Sequence, residues 1–322
     1  MRLTPHNHIV SSAIKDWIPF RLREEEGGTD CQWLYLGNEM FTKPFFDETI
    51  SRCRQLPQNS KMKRSVSSAA MLEEWAPQIT SIAPAAIIFH VSRCGSTLLS
   101  QLLALDPANI VLSEVPFFDE ILRWGHRNQT KEEADALLQA AVSLYGAKRN
   151  ERQQHLFIKA DSWHVHFYEE WRQLYPDVPV ILLYRRPDEV IRSHRKQRGM
   201  QAVQGVIEPS LFGFDERIFQ LSLDEYMGKV METYLSAFIR ILQTDKKAIA
   251  VNYNEGMLTV MERIAAFTGY VISHDILEKM KERSGFHAKF PGQVFEEPPL
   301  DSTIPPYLMR SFELYDEVEK KR

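Results

Sequence analysis

From residue 85 onward, short apolar runs alternate with longer stretches of helical period, and this alternation limits what the chain can become. The runs are Ala86–Val91 (AIIFHV), Ile110–Leu112, Leu156–Ile158, Val180–Tyr184 (VILLY) and Ala248–Val251 (AIAV). Each is rich in β-branched or aromatic residues and lacks clean polar–apolar alternation, which predicts strands buried on both faces of a parallel sheet. Between and after them the spacing predicts a helix carrying Leu98, Leu99, Leu102 and Leu103 and ended by Asp106-Pro107, and further helices over Pro116–Trp124, Lys131–Tyr145, Val165–Leu174, Pro187–Arg198, Leu223–Gln243, Gly256–Thr268 and Ser273–Glu282. Strand and helix in alternation imply an α/β fold with a parallel, five-stranded sheet covered on both sides. Residues 1–80 follow a different pattern and are expected to form an N-terminal extension, with the α/β domain over 81–322. Their aromatic residues (Trp33, Tyr35, Phe45, Phe46) are expected in a core, and Pro57–Ser68 reads as a loop or linker.

Charge and cysteine usage narrow the function. Lys and Arg number 39 against 43 Asp and Glu, a net charge of −4. A protein that lives on DNA or an anionic membrane carries a basic excess, so neither is an expected partner. Cys31, Cys53 and Cys94 match no metal-ligand spacing and cannot all pair, which predicts reduced thiols in a reducing interior. No apolar stretch suits a signal peptide or a membrane span, so a cytoplasmic protein is expected.

The stretch Phe89–Leu99 (FHVSRCGSTLL) runs an apolar strand through a turn of small residues into an apolar-striped helix. That arrangement aims backbone N–H groups and the positive end of a helix dipole at one point, which suits a phosphate. Gly95 admits a close ligand, Ser96 and Thr97 offer hydroxyls, and Arg93 a charge. A nucleotide kinase of the Walker type needs G-x-x-x-x-G-K-[ST], but here His90 stands at the first Gly and Ser96 at the Lys. Kinase chemistry is therefore disfavoured. In the second stretch, VILLYRRPDEVIRS (180–193), a buried strand leads to Arg185 and a proline suited to a helix start. Arg185 can fork onto a phosphate, and Ser193, eight residues on, can add a hydroxyl. The alternative is an ordinary basic helix, solvated or RNA-contacting.

Together these motifs resemble the two phosphate-binding segments of sulfotransferases that use 3′-phosphoadenosine 5′-phosphosulfate (PAPS). The resemblance covers residues 85–292 and implies a P-loop-like three-layer α/β sandwich. It implies that Arg93, Cys94, Gly95, Ser96 and Thr97 hold the 5′-phosphosulfate, and that Arg185 and Ser193 hold the 3′-phosphate. Cys94 stands where the family usually has Ser or Thr, and Arg186 where it has Asn or Asp. Glu114 lies 21 residues beyond Arg93, and Lys159 lies 26 residues before Arg185. These spacings are similar to those of the tyrosylprotein and carbohydrate branch, which implies Glu114 as the base and Lys159, with Arg93, as stabilising charge. Tyr253, in a segment similar to the family's Y-E-D-L, and Lys289, with Arg283, are implied as further cofactor contacts. The activity implied is sulfuryl transfer to a hydroxyl or amine of a small-molecule or peptide acceptor, releasing adenosine 3′,5′-bisphosphate, with no metal. Gly199–Leu221 is expected to form an acceptor lid. His164 and His166 alternate as a metal pair would, but are expected to be ordinary residues at a helix start. A P-loop small-molecule kinase and a non-catalytic nucleotide- or RNA-binding protein are the alternatives.

Overall fold

The computed structural model describes residues 14–25, 28–60, 64–284 and 304–322. Two sheets form. Strands β1 (Trp17–Glu25), β2 (Gly28–Tyr35) and β3 (Ser65–Ser68) make an antiparallel sheet in that order. Strands β4 (Pro84–His90), β5 (Asn109–Ser113), β6 (His155–Lys159), β7 (Val180–Tyr184) and β8 (Ala248–Asn252) make a parallel sheet in the order β5-β6-β4-β7-β8. All five runs are therefore strands of one α/β sheet, as their lack of polar–apolar alternation predicts. Every residue of β5 and β7 is buried, so neither face of those strands meets water.

The chain divides into two compact units. The first gathers the residues up to Ala85 with Leu103–Ile158 and Gln173–Tyr175. Here β1 pairs with β2, with an irregularity between Pro19 and Arg21 where proline has no N–H for the ladder. Helices α1 (Phe46–Cys53), α2 (Ala70–Trp75), α4 (Pro116–Asn128) and α5 (Lys131–Tyr145) complete this unit. Its centre is Tyr145, whose hydroxyl donates to the Pro19 carbonyl and whose ring meets Phe41, Phe46 and Phe118 at 5.2–6.1 Å. Trp33 and Phe46 are buried as expected, whereas Phe45 is 40% exposed because it stands outside α1 as its N-cap. The expected linker Pro57–Ser68 contains a strand, since Ser65–Ser68 adds β3 to the edge of β2.

The second unit gathers Ala86–Leu102, Lys159–Arg172 and Pro176–Arg322. It holds α3 (Ser96–Leu103) up to Leu102, α6 (Tyr168–Leu174) up to Arg172, α7 (Pro187–Lys196), α8 (Leu223–Thr244), α9 (Met257–Thr268), α10 (His274–Ser284) and α11 (Met309–Lys321). β7 lies between β4 and β8, with Leu183 opposite both His90 and Val251. Helix α8 starts on a reciprocal cap, Ser222 bonding to the Glu225 amide while Glu225 bonds to the Ser222 amide. The C-terminal helix α11 is fastened to two strand ends, because Glu319 accepts from Tyr184 Oη at 2.7 Å and from the Asn252 side-chain amide.

Candidate active site

The chain leaves β4 towards β5 on one side of it, and leaves β7 towards β8 on the other. Where neighbouring strands diverge in this way, a crevice opens beyond their carboxyl ends, and ligands of open α/β sheets bind there. The loop after β4 and the turn after β7 stand at that divergence.

The β4 loop has an unusual backbone. Ser92, Arg93 and Gly95 have φ of 64°, 50° and 82°, all left-handed. For Ser and Arg this costs about 1–2 kcal/mol each, so the surroundings must enforce it. The Ser92 N–H donates to His90 Nδ1 at 3.1 Å. Its hydroxyl accepts from the Gln201 side-chain amide, Arg93 donates to the Gln197 carbonyl, and the Cys94 thiol donates to Leu183 O at 3.5 Å. Left-handed and helical residues in succession form a concave row of N–H groups, an anion-binding nest. The row continues into α3, whose first intrahelical bond runs from the Leu99 N–H to Gly95 O at 3.0 Å. The amides of Ser96, Thr97 and Leu98 precede it and have no carbonyl within the helix to bond. Cys94 is buried, and burial pushes its thiol up to about 12. It is a neutral packing group whose backbone serves the nest.

Arg185 and Lys159 supply the charge. Arg185 is 6% exposed and its Nε donates to Glu189 at 2.7 Å, one helical turn on. Its guanidinium carbon lies 4.4 Å from the centroid of the Tyr253 ring, a cation–π contact. Lys159 ends β6 at 1% exposed, and the next residue, Ala160, donates from its backbone to Ile88 of β4. Arg185 and Lys159 both act on the Cys94 thiol, lowering its pKa against the burial. The nest, Lys159, Arg185 and Tyr253 are thus brought together at the ends of β4, β6, β7 and β8. Ser193 sits half-buried in α7.

Glu114 belongs to the first unit. It follows β5 directly, is half-buried, and has φ of 53°. Arg283 donates to the Gln101 side chain on α3. Lys289 lies outside the described residues. Gly199–Leu221 folds into three short turns carrying exposed Met200, Val203, Val206 and Phe219. Sequence reasoning missed Gln197, Gln201 and Glu189, and saw Asn254 only as standing where the family's Y-E-D-L segment usually has an acid. Of the three missed, Glu189 left a trace there, an acid four residues after Arg185.

The two histidines serve different partners. His164 Nδ1 accepts from the Asp161 N–H at 3.3 Å in a helix cap, while His166 Nε2 meets Thr233 Oγ1 at 3.2 Å. Burial, with Arg240 nearby, lowers His166 to about 4. The unfolded chain takes up this proton below about pH 6.5 and the folded one does not. The stability that neutral His166 contributes is therefore complete above pH 6.5 and is lost as the pH falls towards 4, by about 3 kcal/mol. Urea unfolding from pH 7 to 4 should show this loss, and His166→Gln should flatten that limb. An unchanged profile in the variant would refute it.

No family model and no curated protein matches the chain. Solved structures similar to it include a sulfotransferase from Alicyclobacillus acidocaldarius, with 17% identity over 62% of this chain and 90% of that one, TM-score 0.40. Sulfotransferase STF9 from Mycobacterium avium gives 14% identity over 78% and 79%, TM-score 0.45. Mouse sulfotransferase SULT7A1, complexed with PAP, gives 10% identity over 80% and 92%, TM-score 0.39.

Proposed function

We propose that this chain is a sulfotransferase that moves the sulfuryl group of PAPS to a hydroxyl or amine. The observation that carries the reading is the pairing of an anion nest, opened by Arg93 and ending in the hydroxyls of Ser96 and Thr97, with a buried arginine across the β4–β7 crevice. Two anion-holding devices at neighbouring strand ends suit a nucleotide bearing phosphates at both its 5′ and 3′ positions. Tyr253 contributes a flat aromatic face beside the second.

In the transfer, the acceptor oxygen or nitrogen forms a bond to sulfur as the bond from sulfur to the 5′-phosphate oxygen breaks. The bonding electrons stay on the bisphosphate, and the acceptor's proton goes to Glu114. Lys159 and Arg93 offset the charge that grows on the bridging and sulfonate oxygens. Placement and charge supply the acceleration, as in phosphoryl transfer through a loose in-line transition state. The exposed apolar residues of 200–219 are proposed to meet the acceptor. Three free, buried cysteines suit the reducing, cytoplasmic setting we propose.

The RNA-binding alternative loses support around α7, because three arginines in and beside that helix pair within the chain. Arg195 and Arg198 bond Asp224 at 2.7 and 2.6 Å, and Arg186 bonds Asp188 at 3.2 Å. Calorimetric titration tests the main reading against the kinase. Adenosine 3′,5′-bisphosphate should bind at least about tenfold tighter than ATP, a difference of about 1.4 kcal/mol. Transfer should persist in excess EDTA. Preference for ATP, with activity lost to the chelator and restored by Mg²⁺, would overturn the reading for a kinase.

A further inference from the structure

Arg185 bonds Glu189, and Asn254 bonds Glu189 in turn. Glu189 and Arg185 are both nearly inaccessible, their side chains 4% and 8% exposed. One carboxylate oxygen, Glu189 Oε2, accepts from Arg185 Nε at 2.7 Å and from Asn254 Nδ2 at 3.2 Å. Asn254 is itself fixed by the turn that ends β8. Its N–H donates to Asn252 Oδ1 at 3.0 Å, and Glu255 closes the same turn through the Asn252 N–H at 2.8 Å. Tyr253, between them in sequence, covers the guanidinium face.

We propose that Glu189 and Asn254 are positioning residues that fix the plane of the Arg185 guanidinium, and that this sets the preference for a nucleotide bearing a 3′-phosphate. The inference rests on the reading of Arg185 as the 3′-phosphate group. Glu189 bonds Nε, and that bond together with the Tyr253 ring bears on the plane in which the terminal nitrogens lie. A planar fork gives two parallel bonds only when its plane is right, so a small rotation loses much of the contact. The identity of residue 254 matters because an amide donates to Glu189 whereas a carboxylate would repel it. Two carboxylates in such contact cannot both stay ionised without cost, and one takes up a proton.

The test is titration of the full chain with adenosine 3′,5′-bisphosphate and with AMP. Asn254 is exposed, so Asn254→Asp should fold as the wild type does. It should weaken the bisphosphate about tenfold and AMP by less than about threefold. The ratio to wild type should recover between pH 8 and pH 5 as the carboxylate pair shares a proton, and nucleotide protonation cancels in that ratio. Glu189→Gln should also weaken the bisphosphate selectively. The double variant, Glu189→Gln with Asn254→Asp, restores a donor–acceptor pair and should lose less than the two singles combined. Equal losses for both nucleotides, or an Asn254→Asp protein that binds as wild type at every pH, would overturn the proposal. A wild type that does not prefer the bisphosphate to AMP would instead overturn the reading of Arg185 on which it rests.

Discussion

Glu114→Gln is expected to lower kcat/KM by about 10²–10⁴, the usual cost of removing a general base. The substitution keeps the shape of the side chain and its capacity to accept a hydrogen bond, and removes only its basicity. The loss should fall on turnover. Affinity for adenosine 3′,5′-bisphosphate should change by less than about threefold, since the carboxylate is needed while the acceptor, not the nucleotide, loses a proton. The left-handed backbone at Glu114, φ of 53°, separates this variant from a larger replacement, because a glutamine keeps the same local geometry. Near-normal turnover in a folded Glu114→Gln protein would remove Glu114 from the mechanism.

Gly95→Ala should damage both binding and stability. A Cβ at Gly95 would stand 2.3 and 2.4 Å from two ring carbons of Tyr253 and 3.0 Å from the end of Met257. The backbone there has φ of 82°, so the new side chain is strained even before it meets the ring. The ring must leave, and it takes with it the aromatic face over Arg185. Strain alone is about 1–2 kcal/mol, and the melting temperature should drop by several degrees. Affinity for the bisphosphate should fall at least about tenfold, as the nest and the guanidinium shift together. Tyr253→Ala in the same chain gives the methyl room, so the double variant should melt above Gly95→Ala alone. A single variant that melts and binds as wild type would show that the Gly95–Tyr253 contact carries no weight.

The strand–turn–helix around Gly95 was legible in the residues because its determinants are local. An apolar run, a turn of small residues and leucines at helical spacing lie within fifteen positions, and each acts on its neighbours. The same holds for Arg185, Pro187 and Ser193, whose spacing is that of one strand end and the helix it starts. The first sheet was less legible. β3 is four residues long, sits in a stretch read as a linker, and is a strand because β2 offers it an edge to pair with. Phe45 and Phe46 look alike in the sequence, yet one is a solvent-facing cap and the other a core ring, a choice made by where α1 begins.

By itself the sequence determined the α/β alternation, the five parallel strands and the chemistry available at their ends, because hydrophobic period and glycine placement act over a turn or a strand. It contained no measure of which strands are neighbours. Only the tertiary structure put β7 beside β4, and with it Arg185 across from the nest. It also laid the Tyr253 ring between Gly95 and Arg185, and joined Asn254 to Glu189 over 65 positions of chain. Contacts of that range depend on how whole elements pack, and no local pattern of residues encodes them: the buried arginine finds its carboxylate four residues on, but its aromatic cover comes from an element that closes around it.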